Sequence, residues 1–116
     1  LFEWSAPIGE LYSRAAARAL APEHVVPEGD AVMAAFAPAF TEGMERWPNF
    51  GHGQLSSRDF WSRVARATFR ACGSPWAEDE ELFGRAFDEI YRTFQSPEAY
   101  RVFEDVLPFF RWAARR

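Results

Sequence analysis

Residues 47–52, Trp-Pro-Asn-Phe-Gly-His, place a carboxamide and an imidazole beside two aromatic rings, with a proline and a glycine among them. Residues of these types can form the wall of a small-molecule site. Asn49 and His52 would hydrogen-bond a polar group, Phe50 would supply apolar surface, and Pro48 with Gly51 would hold an irregular backbone in place. The competing reading is a connection between two helices whose rings fold back onto the core. Spacing leaves both readings open.

Other chemistry falls away residue by residue. The acidic run at 78–81, Glu-Asp-Glu-Glu, suggests a metal site only superficially, because consecutive carboxylates on a helix point in different directions. A solvated helix amino terminus accounts for it better. His24 and His52 have no second histidine at ligand spacing, and no Glu-x-x-His pair exists to build a di-iron bundle site. No serine sits in a glycine-flanked elbow. Cys72 is the only cysteine, so it closes no internal disulfide, and it lacks partners for zinc. Its place on an apolar helix face reads as a small core residue. All thirteen basic residues are arginine, which removes Schiff-base chemistry and a phosphate-loop lysine.

The formal charge of −4, with seventeen carboxylates and no basic cluster before Arg115-Arg116, argues against a nucleic-acid partner. No apolar run approaches the roughly 20 residues of a membrane helix, and the amino terminus does not read as a signal peptide. The expectation is a soluble intracellular protein, placed in the cytoplasm. One domain is expected from 116 residues, and the supply of rings is large: twelve Phe, five Trp and three Tyr.

These candidates must be positioned by helices, since the periodicity is helical almost throughout. Ser5 and Pro7 open a first helix in which Ile8, Leu11, Tyr12, Ala15 and Ala19 recur at three and four, ending near Leu20. A second helix runs from about Glu28 to Arg46 with Val32, Phe36, Phe40 and Met44 on one stripe. Pro38 falls inside it, with a kink expected near Ala34. Ser56 and Asp59 form a helix-start signature for a third helix presenting Phe60, Trp61, Val64, Thr68 and Cys72, which stops near Gly73. A fourth opens at Ser74-Pro75-Trp76 and carries Leu82, Phe83, Ala86, Phe87, Ile90, Tyr91 and Phe94. It breaks at Ser96-Pro97. A turn from Tyr100 to Phe103 leads to a last helix that holds Pro108 in its first turn. The fold class expected is all-α, a four-to-five-helix bundle with Phe36, Phe40, Val64, Phe87, Ile90 and Phe94 in one core.

Three stretches in order, PIGELY (7–12), WPNFG with LSSRDFW (47–61), and IYRTFQSPEAYRVF (90–103), resemble the helical cap of haloacid dehalogenase (HAD)-like hydrolases. The resemblance runs over nearly the whole chain with similar spacing. It implies a cap inserted into a Rossmann-like core, with Leu1-Phe2 as the tail of the core's first segment and about 103–116 as the helix returning into it. In that family the core carries an Asp-x-Asp nucleophile, a basic residue and paired acidic magnesium ligands. None of these motifs is present in this sequence. The resemblance therefore implies a lid and specificity element, inactive alone. Its partners would be the Rossmann-like core and a small-molecule substrate, phosphorylated in phosphatases. Magnesium is implied for the parent enzyme and no cofactor for this chain. Tyr12, Asn49, Phe50 and His52 are the residues expected to face substrate, at the same end of the bundle as both termini. Pro48 and Gly51 would shape the loop. The alternative from another class is a free-standing helical interaction module that binds through its aromatic face.

Overall fold

The computed structural model describes residues 5–94, with side chains from Ile8 onward. Four helices account for most of them: α1 (Ser5–Leu20), α2 (Gly29–Arg46), α3 (Ser57–Ala71) and α4 (Glu80–Phe94). No strand occurs among the described residues, and the class is all-α. Leu1-Phe2, the break at Ser96-Pro97, the turn to Phe103 and the last helix lie outside the described residues.

The helices pair through the spacing that predicts them. Arg18 reaches Glu89 and Thr93 while Arg85 donates to the Ala19 carbonyl, so α1 and α4 run antiparallel. Gly43 faces Phe60 and Val64 near one end of α2, and the Cys72 thiol lies against the Ala31 carbonyl near the other. These contacts make α2 and α3 antiparallel as well. The two pairs join where α1 touches the start of α2. A Cβ on Gly9 would sit 2.4 Å from the Gly29 carbonyl oxygen, so only glycine permits that approach.

Burial follows the stripes. Ile8, Tyr12, Ala15, Leu20, Val32, Phe36, Phe40, Phe60, Val64, Phe69, Phe83, Phe87 and Ile90 form one core, and Phe94, Met44 and Trp61 pack against it half-buried. Thr68 and Ser74 are the buried polar residues described, and the Thr68 hydroxyl is satisfied by donating to the Val64 carbonyl at 2.7 Å.

Pro38 falls inside α2, as expected, and the helix spans Gly29 to Arg46. Pro38 and Ala34 are both exposed, so the carbonyl that loses its donor faces water. The fourth helix does not open at Ser74-Pro75. Pro75–Glu78 forms a separate 3-10 turn, and α4 starts at Glu80, where Asp79 Oδ1 accepts from the Leu82 N–H at 3.0 Å. The Trp76 ring is buried against Phe69 and its indole N–H donates to the Val25 carbonyl at 2.8 Å. That contact, 51 residues away in sequence, ties the turn to the α1–α2 connector.

Candidate functional site

The stretch from Trp47 to Ser56 connects α2 to α3. Trp47 closes α2 by donating its N–H to the Gly43 carbonyl. At the other end the Ser56 hydroxyl oxygen accepts from the Asp59 N–H at 3.0 Å, the cap that the sequence predicts. Between them the chain makes an uncommon move. Asn49 and Phe50 both have φ of +58°, Gly51 follows at +74°, and Gly53 has +91°. Asparagine tolerates the left-handed region, but a bulky side chain there costs roughly 1–2 kcal/mol.

Local bonds and ring packing hold that geometry. The Gly51 N–H donates to the Trp47 carbonyl at 2.9 Å, the His52 N–H to Asn49 at 3.0 Å, and the Leu55 N–H to Gly51 at 2.7 Å. The Phe50 ring lies 5.8 Å from Phe60 edge-on, 6.0 Å from Trp61 and 6.1 Å from Phe40. It is half-buried, while Asn49 and His52 are exposed on either side of it. Phe50 thus pins the loop to the bundle and leaves two polar tips in solvent.

Tyr12 does not join them on the surface. It is 2% exposed, with its ring 5.5 Å from Phe36, 6.1 Å from Phe69 and 5.4 Å from Phe94. Burial pushes its phenol well above its ordinary pKa. Its ring is enclosed by these neighbours. The physical reason is its place on the apolar stripe of α1. The expected meeting of the loop with both chain termini falls outside the described residues.

Beside the loop, α2 and α3 border a polar groove of about 590 Å³. Arg46 and Trp47 stand on one wall, Arg63, Arg66 and Arg70 on the other, and Glu80 at its edge. Arg66 bonds Glu80 and lies over the Phe83 ring, and Arg70 holds Glu78 through two hydrogen bonds of 2.6 and 3.0 Å. The guanidinium beside it holds the Glu78 carboxyl below its usual range. With Asp79 capping α4, the acidic run is engaged with arginines and a helix end. Among the described residues no group of three or more His, Cys, Asp or Glu side chains could hold a metal.

Arg58 is half-exposed, pairs with Asp88 and covers the rings of Phe87 and Tyr91, 5.1 Å from each. Sequence reasoning missed the groove arginines. The one available signal was Arg46 next to Trp47.

Comparison with known proteins bears on this bundle directly. Haloacid dehalogenase-like hydrolase domain-containing protein 3 of Mus musculus is 35% identical to it over 99 residues, 84% of this chain and 37% of that protein. The protein of the same name from Danio rerio is 31% identical over 102 residues, 84% of the chain and 38% of its own length. The chain is homologous to HAD-like hydrolases. It spans well under half the length of these relatives, 37% and 38%. No protein-family model matches it. No solved structure matches it either. No described helix is long and apolar enough to cross a membrane.

Proposed function

We propose that this bundle is the cap of a HAD-like hydrolase, a lid that covers an aspartate-nucleophile site carried by a Rossmann-like core and selects the substrate admitted to it. The supporting observation is the loop from Pro48 to His52: a strained left-handed backbone, anchored by one ring, with an amide and an imidazole exposed beside it. Backbone strain of this kind persists only where surrounding packing enforces it, and it concentrates at ligand-binding elements. The match to a part of longer hydrolases supports the same reading. Phe50 then forms apolar wall, Asn49 and His52 bond a polar group of the substrate, and closure excludes water from the reacting centre. On this reading the core supplies the nucleophile and the magnesium.

The free-standing interaction module is not favoured. Its aromatic face is the core itself, and the one large hydrophobic side chain fully exposed among the described residues is Val25.

The test uses full-length protein and phosphate esters of graded size. Phe50→Ala should change kcat/KM by different factors for large and small esters, measured at a temperature where the variant remains folded. Equal factors across the series would remove the loop from the substrate pocket. The isolated 116-residue chain should turn over no p-nitrophenyl phosphate, with or without magnesium. Turnover that is lost on changing a residue of this chain would overturn the lid assignment.

A further inference from the structure

Seven arginines of the described residues donate to an oxygen: Arg14, Arg18, Arg58, Arg66, Arg70, Arg85 and Arg92. Arg46 and Arg63 do not. Neither has a carboxylate within ion-pair distance among those residues, although Glu42 and Asp59 stand four positions before them on the same helices and border the same groove. Both guanidiniums instead lie on one ring, that of Trp47, with their central carbons 5.9 and 5.0 Å from its centre.

Two like charges gathered at one indole, with all their N–H donors unspent, make an unbalanced arrangement in a chain of net charge −4. The indole offsets part of the repulsion by cation–π attraction and limits the freedom of each side chain. What remains unmet is a doubly charged acceptor. We propose that Arg46, Arg63 and Trp47 form a binding site for a dianionic oxyanion of the phosphate type, at the end of the α2–α3 groove beside the Trp47–Ser56 connection. A carboxylate would neutralise only one of the two cations, whereas a phosphate group carries close to two charges at neutral pH and accepts from both forks. The inference rests on these three side chains and is independent of the lid assignment.

The neighbouring carboxylates give the proposal a sign. Glu42 faces the same groove and repels an anion there, so Glu42→Gln tightens the site while an arginine substitution weakens it. The experiment titrates full-length protein with inorganic phosphate at fixed ionic strength and follows the Trp47 indole N–H by NMR, assigned through Trp47→Phe. Acetate and chloride serve as the monovalent comparisons. The expected result is a saturable shift with phosphate. It weakens at least tenfold in the Arg46→Gln/Arg63→Gln double variant and tightens in Glu42→Gln, with far-UV circular dichroism unchanged. Acetate should bind several-fold more weakly than phosphate. A non-saturating shift that chloride reproduces would show screening alone and overturn the proposal. Unchanged phosphate affinity in the folded double variant would overturn it too, and so would phosphate binding that Glu42→Gln leaves unaffected.

Discussion

Tyr12 and Phe50 meet the same pair of rings from two kinds of backbone. Tyr12 lies edge-on to Phe36 at 5.5 Å, Phe36 stacks on Phe40 at 5.8 Å, and Phe50 lies 6.1 Å from Phe40. Tyr12 arrives from a regular helix and is enclosed, at 2% exposure. Phe50 arrives from a left-handed residue in a connection and stays half-exposed. In the helix the ring position follows from periodicity and costs the backbone nothing. In the connection, ring packing must offset a disfavoured φ, and the polar residues beside the ring are left in water. Aromatic contacts of similar geometry therefore build a core at one site and fix a surface loop at the other.

The largest test of that contrast is truncation. Phe36 is 1% exposed and touches both Tyr12 and Phe40, so Phe36→Ala should cost about 3–5 kcal/mol in urea unfolding. Phe50→Ala removes a half-buried ring and should cost about 1–2 kcal/mol. Equal losses would make the loop a core element and erase the difference between the two regions.

A second test reverses the sign of a familiar rule. At Tyr12, a helical position, the glycine variant should be less stable than the alanine variant by about 1 kcal/mol, because glycine has more backbone freedom to lose. At Phe50 the order should invert: Phe50→Gly should be more stable than Phe50→Ala by about 1 kcal/mol, since alanine keeps the penalty of φ near +58° and glycine does not. Four variants and one denaturant series measure both differences. The same order at both sites would mean that Phe50 leaves the left-handed region in solution.

Much of the contrast was legible in the sequence, though unevenly. Ile8, Tyr12 and Ala15 recur at helical spacing, and that pattern alone puts Tyr12 in the core, where it lies. Ser56 and Asp59 announced the start of α3 because a cap is a local interaction between near neighbours. The turn at Pro75–Glu78 was not legible, because it depends on Trp76 bonding to Val25 across the fold. Nor was the left-handed pair: Asn49 permits that conformation, but nothing about phenylalanine suggests it. The gathering of Arg46 and Arg63 on Trp47 needed α2 and α3 to be laid side by side.

The smallest effect at neutral pH concerns the Tyr12 hydroxyl, which makes no hydrogen bond among the described residues. Removing a hydroxyl that no described residue bonds should cost little, and Tyr12→Phe should unfold within about 0.5 kcal/mol of the parent at pH 7. Alkali separates the two proteins. An unfolded tyrosine loses its proton near pH 10, whereas burial raises the folded value well above that, so the native state keeps a proton that the unfolded state has released. Tyr12 therefore contributes its full stability below about pH 10, and that contribution declines as pH rises toward the folded value, by about 1.4 kcal/mol per pH unit at most. Tyr12→Phe lacks this loss, while every other titrating group is common to both chains. The difference in unfolding free energy between variant and parent should thus grow in the variant's favour from pH 9 to pH 11. Parallel curves over that range would mean that the hydroxyl reaches water. Tyr12 would then stand with Phe50 as a residue with an exposed edge.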